Sequence, residues 1–282
     1  MSLIASHVGR RRARLAVSYA AMVVSNTFEL LYPFALGLAV DGLLAGQPSG
    51  AIPFVVISLL HLALGLGQQW HDSRLFNELY ASVATELVGR QREAGTPTTL
   101  VAARAALAGE YVDFLRDGVS ALITTAFAVV GSLVMLFFYD VQLGVVAAVV
   151  AVPVALLNRR LMRRSGRIYR QANDESEVEV TVIREGTPPR VKQHFGVLAG
   201  YWNRLSDAEA ATWGLTDLMA LGLTVFALVR ATAVHDDVGT IFAVISYVFA
   251  YVGGLGQAPW VLQQVSSLAD IRRRMDEIAA PA

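Results

Sequence analysis

The chain has 282 residues, no net charge, 55% hydrophobic and 16% charged residues, and a mean hydropathy of +0.49, far from the share of about 25% charged that soluble domains carry. This composition identifies an integral membrane protein. Cysteine is absent, which excludes a disulfide framework, a Cys-ligated zinc site and a thiol nucleophile, and the sequence offers neither catalytic residues nor a metal site.

A helix needs about 20 apolar residues to cross the hydrocarbon core, and six runs approach that length: residues 15–44, 51–69, 120–138, 141–157, 215–234 and 238–262. The basic stretch Gly9 to Arg14 precedes the first of them, but that run is too long for the apolar segment of a cleavable signal, which spans about 7–15 residues. Between the second and third runs lie residues 70–119, and between the fourth and fifth lie residues 158–214, both mostly polar. Each is broken near its middle, by Gly95 and Pro97 in the first and by Gly186, Pro188 and Pro189 in the second. Each therefore reads as a helix running down, a turn and a helix running back. Residues 159–187 contain no proline, so the fourth helix is expected to run on until Pro188 and Pro189 stop it. Val178, Val180 and Val182 alternate with polar residues, a period that suits a strand; helix is the preferred reading because an isolated strand has no partner here.

Orientation follows from the basic residues. All but one are arginine; Lys192 is the exception, and Arg230 alone lies near the side opposite to the rest. Arginines precede the first run, fill both long connections and follow the sixth run, which places both termini and both hairpins in the cytoplasm, as in a bacterial inner-membrane protein. The outer connections, residues 41–50, 139–140 and 235–237, are short and acidic or neutral, while Trp70, Trp213 and Trp260 fall at inner span ends, where indoles sit well among headgroups. The densest arginine cluster, Arg159, Arg160, Arg163, Arg164, Arg167 and Arg170, is first a topology signal and second a surface for lipid or a docking partner. Membrane lipid, not nucleic acid, is the expected contact.

Few residues in the spans carry chemistry. Glu29 lies near the midpoint of the first run, where a carboxylate costs at least about 2.5 kcal/mol and faces an interior or a wet cavity. His61 lies at a similar depth in the second. Together they read as a substrate-cavity or proton-relay pair, or more plainly as a hydrogen-bonded pair holding two helices together. Asp217, near the inner end of the fifth run, is a cavity-rim or headgroup residue. Tyr247 and Tyr251 stand one turn apart on the sixth run, a spacing that serves packing or the lining of an amphipathic cavity. Gly253, Gly254 and Gly256 with Pro259 loosen that run, as a hinge or as a surface for close helix contact.

Six spans with minute outer loops and two long inner hairpins resemble the transmembrane domain of ABC exporters. Four stretches carry the resemblance: Tyr32 to Gly46 at the end of the first span, with its Pro33, Gly37 and Asp41-Gly42; Gly95, Leu100 and Arg104 in the first hairpin; Glu185-Gly186 with Val191-Lys192-Gln193-His194-Phe195 in the second; and Ala269 to Glu277 after the sixth span. The resemblance implies an all-α membrane protein with six transmembrane helices, working as a homodimer or heterodimer. It also implies coupling helices near Gly95, Leu100 and Arg104 and near Glu185, Gly186, Lys192 and Phe195, which dock on an ATPase unit that binds ATP and Mg. Pro188-Pro189 departs from the family pattern, so the second coupling helix is expected to be distorted or lost. The P-loop pattern GxxxxGK[ST] is absent: Lys192 has neither the glycine before it nor a Ser or Thr after it. The chain therefore reads as one transmembrane domain over residues 1–282 without an ATPase domain, served by a separate ATPase subunit. Two alternatives stand beside this: a proton-driven transporter of peptides or small amphipathic molecules with the same fold, and a non-transporting membrane interaction module.

Overall fold

Backbone amides in hydrocarbon have no water to bond, so an apolar run of this length must satisfy them within a helix. The computed structural model describes residues 3–279, with the side chains of residues 3–6, 99–100, 103–104, 107 and 265–279 outside the described residues, and no strand occurs among those described. The helices are α1 Leu3–Arg10, α2 Arg12–Leu44, α3 Ile52–Glu93, α4 Thr98–Asp113, α5 Val119–Ala126, α6 Ser132–Tyr139, α7 Val141–Glu177, α8 Glu179–Glu185, α9 Pro188–Val234 and α10 Val238–Ala279. Two π-helical turns, Phe114–Gly118 and Phe127–Gly131, join α4, α5 and α6 end to end. Among the described residues, six helical stretches are long and apolar enough to cross a membrane.

The second hairpin differs from expectation in how it turns. α7 ends at Glu177, eleven positions before Pro188; α8 follows a break at Val178, and residues 186–187 separate it from α9. Pro188 and Pro189 do not stop a helix. They occupy the first turn of α9, where an N–H has no intrahelical partner and its loss costs nothing. The alternating valines lie at the α7–α8 break and on α8, with Val182 buried and Val180 exposed.

The chain divides into two compact units, Met1–Met135 with Ala231–Ala282, and Leu136–Arg230. In the first, α3 presents Leu75, Phe76, Leu79, Val83 and Leu87 on one face, packed with Leu15 of α2 and with Ala108 and Val112 of α4. Polar ties flank this core: Arg14 Nη1 donates to Glu78 Oε2 at 2.6 Å, and the Tyr19 hydroxyl donates to the Leu115 carbonyl at 3.1 Å. Near the C-terminal end of α2, α2 and α10 meet backbone to backbone. A Cβ on Gly37 would lie 2.6 Å from the Gly239 carbonyl oxygen, so only glycine permits the approach; against the connection after α2, a Cβ on Gly42 would likewise lie 2.8 Å from the Gly50 Cα. Closeness lets Asp41 Oδ1 accept the Gly239 N–H at 2.6 Å, capping the first turn of α10.

In the second unit, Asp140 starts α7 as its N-cap, accepting the Leu143 N–H at 3.0 Å, and its other oxygen accepts from Arg230 Nε at 2.8 Å. Burial pushes the Asp140 carboxyl up, but the Leu143 amide, the Arg230 guanidinium and the Gln142 amide together hold it below the usual carboxylate range. Arg230, the one basic residue out of place by charge asymmetry, thus has a structural partner. Beyond the apolar stretch, the Tyr169 ring of α7 meets Trp202 of α9 edge to face, with centroids 5.7 Å apart.

Candidate functional site

Two places combine polar chemistry with access: a small cavity within the spans of the first unit, and the tips of the hairpins. The cavity, about 110 Å³, is lined by Asn26, Glu29, Leu30 and Pro33 of α2, by Thr124, Phe127, Ala128 and Ser132 around the second π turn, and by Tyr247 and Ala250 of α10. Pro33 lies inside α2 and has no N–H, so the Glu29 carbonyl, four residues earlier, loses its helical donor. Carboxylate and carbonyl of one residue therefore add polarity at the same level of the membrane. Asn26 Nδ2 donates to the Met22 carbonyl at 2.8 Å, and the Tyr247 hydroxyl donates to the Leu30 carbonyl at 2.8 Å. The Ser132 hydroxyl is buried without a partner among the described residues. A π turn widens the helix locally, and such turns concentrate at functional sites; this one places Phe127 and Ala128 on the cavity wall.

His61 sits apart from this cavity. Its ring is held between the Ser25 hydroxyl at Nε2 and the Tyr32 hydroxyl at Nδ1, both at 2.7 Å, and no hydrogen bond joins it to Glu29 among the described residues. An imidazole with one ring proton gives a hydrogen bond at one nitrogen and receives at the other, so the two hydroxyls are fixed in opposite roles and α2 is clamped to α3. Tyr251 is buried on α10, as is Tyr247. Asp217 is exposed on α9. Gly254 packs closely, since a Cβ there would lie 2.8 Å from Ala128 Cβ and 2.9 Å from Val129 Cγ2. Gly253 and Gly256 have open space where a Cβ would stand. α10 runs through all three glycines and through Pro259 without a break.

The first hairpin turns between α3 and α4 over residues 94–97. Gly95 has φ +70°, a left-handed conformation that favours glycine, and the Thr96 N–H returns to the Gln91 carbonyl at 3.0 Å. The side chains of Leu100 and Arg104 lie outside the described residues. At the second tip, α8 is seven residues long, buries Val182 and exposes Val180 and Ile183. Glu185 pairs with its neighbour Arg184 at 2.7 Å. Gly186 donates its N–H to the Val182 carbonyl at 2.8 Å and approaches that carbonyl too closely for a side chain. Lys192 and Phe195 are exposed on α9.

His194 holds this tip, a role its place in the second-hairpin motif did not reveal. Its ring is buried, Nδ1 donates to Glu175 Oε1 of α7 at 2.7 Å, and Nε2 lies 3.7 Å from Glu179 Oε2 of α8. One imidazole thus touches three helices. A hydrogen bond to a carboxylate contributes about 2 kcal/mol, so His194→Ala is expected to raise amide exchange across residues 172–198 by more than about tenfold, with exchange in α10 unchanged. His194→Gln, which keeps a donor, restores most of the protection.

The model of the ABC transporter transmembrane region matches residues 6–240. No curated protein matches the chain.

Proposed function

The chain belongs to the family of ABC transporter transmembrane regions, and from that premise we propose that it is the membrane subunit of an exporter whose power stroke comes from a partner ATPase. It is an integral, multi-pass membrane protein. In this reading two copies, or this chain and a similar one, enclose the substrate path, and both hairpins point into the cytoplasm, where 22 of the 23 basic residues fall. ATP and Mg are bound by the partner. The observation that carries the proposal is α8: a short helix between two breaks at a hairpin tip, braced from behind by His194 and presenting Val180 and Ile183 outward. Such a helix can pass a push from a docked domain to α7 and α9 together. Pairing of copies has its own support, because Glu29 is exposed on α2 and a carboxylate facing lipid is costly.

Val180→Asp with Ile183→Asp tests the docking role. Both side chains are exposed, so the fold is retained, while burial of a charge in an apolar contact typically costs more than 2 kcal/mol. ATP-driven flux in vesicles is expected to fall by about thirtyfold or more; flux at the unsubstituted level would remove α8 from the coupling path.

A second reading has a specific observation behind it: Glu29 lines a cavity without a partner among the described residues, as a proton-carrying carboxylate would. Glu29→Gln keeps the shape and removes the charge change. In the exporter reading, the variant shifts substrate preference by about five- to tenfold, the scale of one lost polar contact, and leaves flux dependent on ATP. In the proton-driven reading, it abolishes flux driven by an imposed pH gradient. Measuring both driving forces in the same vesicles separates the two.

A further inference from the structure

We propose that the cytoplasmic end of α7, with α9, forms a binding site for the phosphate headgroup of an acidic phospholipid of the inner leaflet. A cavity of about 740 Å³ there is lined by Arg159, Arg160, Arg163, Arg164 and Arg167 of α7 and by Arg204 of α9. The α7 arginines start two residues after the apolar run that ends at Leu157, and from first to last they rise about 12 Å along the helix. They therefore extend from the headgroup layer into the cytoplasm. Topology alone requires positive charge on this side, but it does not require the charges to converge. Here a residue from a second helix closes the set, and no carboxylate lines the cavity.

Several arginines elsewhere have carboxylate partners. Arg14 pairs with Glu78, Arg90 with Glu86, Arg116 with Asp117 and Arg230 with Asp140. None of the six cavity arginines forms an ion pair among the described residues. Six like charges held around one concavity repel one another, and an anion with several oxygens relieves that repulsion while taking forked hydrogen bonds from the guanidinium groups. A soluble phosphate has the same chemistry. What favours a lipid is the surface leading to the cavity: Val145, Val149, Val152 and Leu156 are all exposed and recur every three or four residues along α7, forming an apolar stripe that ends at the arginines. An acyl chain fits the stripe and its phosphate the cavity, the arrangement expected of basic clusters just inside a membrane.

Native mass spectrometry of the full chain released from nanodiscs holding equal shares of phosphatidylglycerol and phosphatidylcholine tests this. Phosphatidylglycerol is expected to be retained preferentially, and Arg163→Gln with Arg164→Gln to reduce that retention by about tenfold or more. Arg163→Lys with Arg164→Lys keeps the charge that sets topology but lacks the forked donors, so it should give a smaller, severalfold loss. Because the chain has no cysteine, labelling of a single Ser176→Cys reporter shows whether the Gln pair keeps its orientation. Arg204→Gln, outside the α7 cluster, is expected to weaken retention severalfold with topology untouched. Equal retention of the two lipids, or phosphatidylglycerol retention unchanged in all three sets of variants, overturns the proposal. Thermal stabilisation by pyrophosphate without any lipid preference would assign the cavity to a soluble phosphate and overturn the lipid as its source.

Discussion

Gly239→Val is expected to prevent the folded chain from accumulating in membranes. A Cβ at this position meets the Gly37 backbone carbonyl, which cannot swing aside, and lies 2.7 Å from Oδ2 of Asp41, whose other oxygen is held by the Gly239 N–H. Overpacking of this kind costs about 1–3 kcal/mol and sometimes more, and displacement of Asp41 also removes the cap on α10, for about 1 kcal/mol. Together these approach the whole stability of many domains, about 5 kcal/mol at the low end. Gly37→Ala makes the reciprocal collision and should behave alike, whereas Gly253→Ala, with open space around it, should express normally. Quantifying monodisperse protein after mild detergent extraction checks all three. A well-behaved Gly239→Val protein would show that α2 and α10 do not depend on backbone contact.

Asp140→Ala removes two interactions at once and is expected to destabilise the second unit by about 2 kcal/mol, one for the cap and about one for the pair with Arg230. The pair is discounted because the Arg230 side chain is 37% exposed. Asp140→Asn retains a capping acceptor and should lose only the second half. The pH dependence has a definite sign. The folded-state carboxyl lies below its ordinary value, so its contribution is fully present above the unfolded value of about 3.9 and is lost as pH falls through the lower folded value. Thermal unfolding at neutral pH should therefore separate Asp140→Asn from the unsubstituted protein, and the difference should shrink under strongly acidic conditions.

The six spans were legible because each is an apolar run close to membrane length. Contacts between distant parts of the chain were not. Asp41 and Gly239 are separated by 198 positions, and nothing local in either says that one caps the other. Arg230 looked anomalous by charge count, and its partner Asp140, 90 positions away, is visible only once α7 and α9 are seen side by side. The prolines at 188 and 189 were read as the stop of the fourth helix, but that helix ends at Glu177 and the prolines start α9, because proline tolerates a first helical turn as readily as it ends a helix. The two π turns leave no clear residue signature, although one of them shapes the cavity around Glu29. Glu29 and His61 share a depth, yet Ser25 and Tyr32, one turn to either side of Glu29 on α2, take the imidazole.

The central claim, that this membrane subunit is driven through its hairpin tips by a partner ATPase, is tested most directly by ATP hydrolysis in nanodiscs. The chain is measured alone and together with the ATPase that purifies with it. No hydrolysis is expected from the chain alone, because its 282 residues contain no P-loop. The joint preparation should exceed the free ATPase, and Val180→Asp with Ile183→Asp should return it to the free level. Hydrolysis that follows this chain alone through purification, or a partner ATPase whose rate is the same with and without it, would contradict the account.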